Sequence, residues 1–94
     1  MKILYFAGLR TRIGRGEEDI EVPAEVRTVA ELMAWLRGRG PGYAAAFAEG
    51  ALVRAAVDQD YAGPERSLAG AREVAFFPPV TGGRATGLAS GTAP

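Results

Sequence analysis

Hydrophobic and polar positions change period several times along the chain, and each change marks an element. Lys2 to Ala7 (Lys-Ile-Leu-Tyr-Phe-Ala) is an apolar run of strand length, and from Glu17 to Val22 the acids Glu17, Asp19 and Glu21 alternate with Ile20 and Val22. Together they predict two antiparallel strands. The intervening Gly8 to Gly16 reads as a hairpin loop, with Gly14-Arg15-Gly16 supplying positive-φ freedom, and Pro23 ends the second strand because it cannot donate to a ladder.

The period then becomes helical. Thr28-Val29-Ala30-Glu31 has the form of a capping box, and Val29, Leu32, Met33 and Leu36 follow at i, i+3, i+4 and i+7, a stripe suited to covering a sheet. Trp35 lies at its edge, and Gly38 or Gly40 stops the helix. Tyr43 to Glu49 predicts a second, shorter helix with Phe47 as anchor and Gly50 as stop. Leu52 to Val57 predicts a third strand with Val53, Ala55 and Val57 in one phase, Tyr61 to Ala71 a turn-rich connection, and Glu73 to Phe77 the last strand. Pro78-Pro79 ends it on an extended polyproline path. Beyond Pro79 no periodic pattern remains, so the tail is expected to be flexible.

Strand, strand, helix, strand, strand specifies an α+β domain, a small mixed sheet with one main helix packed across one face plus a short second helix. The opposite face carries the phase of Lys2 and Glu73, which places Phe6 and Phe77 outward on it.

Composition narrows the chemistry. With 94 residues the chain is one domain, burying roughly 60 to 65% of its unfolded surface, and any active site is minimal or shared. Eleven Lys and Arg balance eleven Asp and Glu, and ten of those bases are Arg, scattered along the sequence, which argues against nucleic acid or a membrane surface as partner. There is no Cys and no His, hence no thiol nucleophile, imidazole base, disulfide or Cys/His metal site. Met1-Lys2-Ile3-Leu4 reaches polar residues too soon for a signal peptide, and no apolar stretch approaches the ~20 residues of a membrane span. A cytoplasmic location is expected.

Candidate chemistry in the body of the domain is sparse. Glu17, Glu18, Asp19 and Glu21 read as a solvated strand face, Asp58-Gln59-Asp60 as a turn, and Gly14-Arg15-Gly16 is too short for a phosphate loop. No metal site is expected. The informative segment is Phe76-Phe77-Pro78-Pro79-Val80-Thr81-Gly82-Gly83, which leads away from the last strand. It reads either as a proline-stiffened exit into a glycine linker or as a stiff arm whose two glycines pass a narrow channel where any β-carbon would clash.

These residues carry a resemblance. Ile3-Leu4-Tyr5-Phe6-Ala7-Gly8-Leu9-Arg10, Thr28-Val29-Ala30-Glu31-Leu32 and Glu73 to Gly83 stand in sequence order over residues 1 to 83. In them the chain resembles the sulfur-carrying small subunits of molybdopterin synthase, which are ubiquitin-like β-grasp proteins. The resemblance divides the chain into a β-grasp domain at 1–79, an extended Gly-Gly arm at 80–83 and a flexible extension at 84–94. It implies that the working group is the Gly83 carboxylate on the arm Pro78, Pro79, Val80, Thr81 and Gly82. An E1-like adenylyltransferase would activate that carboxylate with ATP, and a sulfur donor would convert it to a thiocarboxylate. Inside the large synthase subunit, as a heterotetramer, the sulfur would attack cyclic pyranopterin monophosphate.

On this reading the chain binds no cofactor and is no enzyme by itself. Phe6 and Phe77, joined by Tyr61 through family placement, would dock the large subunit. Arg72 and Asp58 stand where the family usually has Asp and Asn. The family normally ends at the second glycine, whereas Arg84 to Pro94 follow here. That extension is a precursor segment removed by a protease, an artefact of the gene boundary, or the mark of a chain that no longer carries sulfur. The rival functions are another β-grasp carrier or modifier (thiamin, cysteine or tRNA thiolation) and a non-catalytic binding module. Thiamin-type carriers are usually shorter and lack the Phe-Phe-Pro-Pro run.

Overall fold

The structure, a computed structural model, describes residues 1–48 and 52–79. Gly50, the Val80 to Gly83 part of the arm and the extension at 84–94 therefore lie outside the described residues, as do most of the boundaries drawn at the C-terminal end. Within them run β1 (Lys2–Tyr5), α1 (Gly8–Ile13), β2 (Glu17–Asp19), α2 (Val29–Arg37), α3 (Pro41–Ala46), β3 (Arg54–Val57), β4 (Asp60–Ala62) and β5 (Glu73–Phe77). The strands form one sheet in the order β2-β1-β5-β3-β4. Its central pair, β1 and β5, is parallel, and the other pairings are antiparallel. A parallel pair needs a long crossover, and the whole segment between β1 and β5, with α2 on one face, provides it.

The capping box at Thr28 is present in full. The Glu31 N–H donates to Thr28 Oγ1 at 3.2 Å, and the Thr28 N–H donates to Glu31 Oε1 at 3.2 Å. Val29, Leu32 and Leu36 are buried against Ile3, Tyr5, Val57, Val74 and Phe76, while Met33 is half-buried at the margin. Phe47, just past α3, is buried, with its ring edge-on to Phe76 at 5.0 Å and to Tyr5 at 6.4 Å. Such pairs contribute about 0.5–1.5 kcal/mol each beyond their buried area.

Several expectations are corrected. The hairpin loop expected at Gly8 to Gly16 contains α1, so there are three helices among the described residues rather than two. Gly14 does adopt positive φ (92°), but as the left-handed cap of α1. β2 ends at Asp19 rather than Val22, α3 starts at Pro41 with proline in its first turn, and β3 starts at Arg54. The connection expected from Tyr61 opens within β4, a fifth strand, paired to β3 through the tight turn Asp58-Gln59, both residues with positive φ (49° and 73°). Asp58 holds that turn against β5, its Oδ1 accepting the N–H groups of Arg72 and Glu73 at 3.0 Å each.

Candidate docking face and carrier arm

The face of the sheet away from α2 is built by strand alternation. The register sets Leu4 beside Ala75, Ala75 beside Ala56 and Ala56 beside Tyr61, one apolar row across β1, β5, β3 and β4. The next row toward the C-terminal end of β5 holds Phe77 beside Arg54, with Phe6 abreast of Phe77, since the Phe6 N–H donates to the Phe76 carbonyl at 3.1 Å.

Phe6, Tyr61 and Phe77 are thus brought onto one face. Phe6 is 49% and Tyr61 82% exposed, unusual values for rings of this size. Phe77 is half-buried because Tyr61 tilts over it, with centroids 5.9 Å apart and planes at 52°. Beside them Arg54, Ala62, Gly63 and Pro79 complete a groove of about 480 Å³. Pro79 is half-buried and lines this groove, and Pro78 is exposed, so the root of the arm adjoins the apolar face. A continuous uncovered apolar surface rimmed by polar residues is the usual mark of an interaction site.

The four carboxylates expected on a solvated face divide differently. Glu17 and Asp19 are exposed, but Glu18 pairs with Ile3 and points into the core side, its side chain 6% exposed. The hydroxyls of Tyr5 and Tyr43 each donate to Glu18 Oε2 at 2.7 Å, Arg39 donates to the same oxygen at 3.0 Å, and Arg15 donates to Oε1 at 3.2 Å. Burial alone would raise the Glu18 pKa, but the hydrogen bonds from Tyr5, Tyr43 and Arg39, with the Arg39 charge, outweigh it and hold the carboxyl below its ordinary range. Burial, with Glu18 beside them, raises both tyrosine hydroxyls, which remain donors. Arg39 also lies over the rings of Trp35 (5.4 Å) and Tyr43 (5.0 Å). The cluster clamps α3 and the end of α2 to β2. Its sequence signal was a glutamate in the same phase as Ile20 and Val22.

Among the described residues no group of acids is placed to hold a metal ion, and no helix is long and apolar enough to cross a membrane. The sequence profile of the ThiS family matches residues 3–83, nearly the whole chain.

The chain belongs to the ThiS family.

The ThiS match ends at Gly83, leaving residues 84–94 beyond it. A molybdopterin synthase sulfur carrier subunit from Escherichia coli (strain K12) is 39% identical over 83 residues, covering 88% of this chain and 99% of that protein. The protein of the same name from Haemophilus influenzae is 32% identical over the same proportions. These relatives are carriers by name, in line with the expectation that this ThiS-family chain is a non-catalytic subunit. Among solved structures, a Pyrococcus furiosus chain named as molybdopterin converting factor, subunit 1, superposes with a TM-score of 0.65 at 29% identity, covering 84% of this chain and 95% of that one. SAMP1 from Haloferax volcanii, at 24% identity, has the same fold with a TM-score of 0.66 over 88% of this chain and 98% of its own. The mixed sheet with helices on one face is therefore the ubiquitin-like β-grasp expected from the sequence.

Proposed function

We propose that this chain is the sulfur carrier of a molybdopterin synthase, and that Gly83, once its carboxylate is free, carries the sulfur. The observation that carries the reading is the uncovered face that holds Phe6, Phe77 and Tyr61 and adjoins Pro78-Pro79, in a chain whose near-full-length relatives are named as that subunit. An apolar face next to a stiff exit suits a protein that docks on a partner and presents its C-terminal arm.

The chemistry balances without any catalytic side chain on this protein. A carboxylate oxygen of Gly83 attacks the α-phosphorus of ATP on an E1-like adenylyltransferase, and pyrophosphate leaves. Hydrosulfide supplied by a donor attacks the acyl carbon and AMP departs, leaving a thiocarboxylate. With the carrier docked on the large subunit, as a heterotetramer, the thiocarboxylate sulfur attacks cyclic pyranopterin monophosphate to form an acyl-thioester link. Water then cleaves the acyl–sulfur bond, leaving the sulfur on the pterin and restoring the Gly83 carboxylate. The acid and base groups come from the partner. The need for ATP places this cycle in the cytoplasm. Because an amide at Gly83 has no carboxylate to activate, residues 84–94 are removed first by hydrolysis of the Gly83–Arg84 peptide bond.

Mixing the chain with the adenylyltransferase, ATP and a sulfur donor tests the reading by intact mass: one oxygen exchanged for sulfur on a chain ending at Gly83 supports it. A chain ending at Gly83 that never gains sulfur, with an adenylyltransferase active on its own carrier, refutes it.

A further inference from the structure

Pro78 and Pro79, the described root of the arm, alternate sides like strand residues and face two different grooves. Pro79 lines the outer groove with Tyr61, Phe77 and Arg54. Pro78 lines a second groove of about 380 Å³ on the helix side, with Leu9, Leu52, Val53 and Arg12. Each groove is apolar apart from a single arginine, and neither is lined by an acid. Among the described residues neither Arg12 nor Arg54 has an ion-pair partner; Glu65, whose carboxylate lies against Gly63, makes none with Arg54. At the other end of the strands both signs of charge meet: Asp58, Glu73 and Arg72 line a further groove, and Asp19 pairs with the N-terminus. The root of the arm is thus flanked by one arginine on each side.

Reach decides what these arginines can serve. Gly83 lies four residues past Pro79, about 13 Å away in an extended arm at ~3.3 Å per residue. That is farther than a guanidinium rooted on α1 or β3 extends, so neither arginine can attend the reacting carboxylate of an inserted arm. Both instead meet whatever surrounds the entrance of the channel. We infer that Arg12 and Arg54 form a two-sided basic collar at the root of the arm that pairs with acidic residues around the channel mouth of the large synthase subunit, guiding insertion of the arm. The inference rests on the docking reading above. Exposed pairs of this kind contribute little to final affinity, but they steer encounter and fix orientation, and salt screens them.

The experiment is stopped-flow association of the full chain with the large subunit from the same organism across a series of ionic strengths. The double variant Arg12→Gln/Arg54→Gln is predicted to associate about tenfold more slowly at low salt and to lose most of its salt dependence, with dissociation little changed. Arg12→Lys/Arg54→Lys, which keeps the charge, is predicted to retain the parent's rate and slope, and circular dichroism verifies folding of both. Unchanged rate and slope in the Gln variant, with Phe77→Arg still abolishing binding, overturns the collar and leaves the docking face standing. A slope that falls only with the adenylyltransferase also overturns it. Full binding by Phe77→Arg removes the docking reading itself.

Discussion

The hydroxyl of Tyr5 and the carboxylate of Glu18 meet at 2.7 Å across the β1–β2 pair, turning an acid on the core side of an edge strand into the anchor of a helix clamp. The carboxylate is acceptor to four donors, so its charge is what the arrangement needs.

Glu18→Gln is therefore predicted to destabilise the domain by about 1–3 kcal/mol at neutral pH, read by urea denaturation. The folded-state pKa lies below the ordinary 4.5, so the charged form is favoured by folding. Its stabilisation is fully present above 4.5 and fades as pH falls through the lower folded value. The gap between parent and variant is predicted to narrow in acid; a gap that stays constant down to pH 3 contradicts the assignment.

Gly42 in α3 sits where α1 crosses it, and a methyl group there would run into the carbonyl of Arg12. Gly42→Ala is predicted to cost about 1–3 kcal/mol by forcing the two helices apart, and thermal unfolding of the purified variant measures it. An unchanged melting temperature would mean the helices shift freely.

Most of this architecture was legible in the sequence, and the failures have local causes. β5 and the Thr28 capping box are read correctly because one is a dense apolar strand closed by prolines and the other a paired side-chain signal. α1 was hidden because only Leu9 is buried in its six residues and it opens at Ala7 with positive φ (55°) and no capping side chain. β4 was hidden because a three-residue edge strand offers too little alternation, with only Ala62 turned partly inward. Phe6 and Phe77 could be placed by phase alone. Tyr61 could not, since its face depends on the pairing of β4 with β3, and Glu18 was passed over because its neighbours Glu17 and Asp19 are exposed.

Phe77→Arg replaces the ring under Tyr61 with a charge at the centre of the proposed docking face. It is predicted to weaken binding to the large subunit by ~2 kcal/mol or more while leaving the fold intact, as calorimetry and circular dichroism would measure. Wild-type affinity would move the docking surface elsewhere.

Gly82→Val tests the arm. A β-branched side chain restricts the backbone and widens the section that must enter a channel, so docking is predicted to persist while adenylation or sulfur transfer stops. Turnover at the parent's rate would assign the two glycines to flexibility alone.

The central claim, that Gly83 carries sulfur as a thiocarboxylate, is tested most directly by intact mass spectrometry of the chain after incubation with adenylyltransferase, ATP and a sulfur donor. A chain ending at Gly83 is predicted to exchange one oxygen for sulfur, and the full chain to show no exchange until a protease removes residues 84–94. Sulfur appearing on the full chain with Arg84 to Pro94 still attached, or never appearing on the trimmed one, would contradict the account.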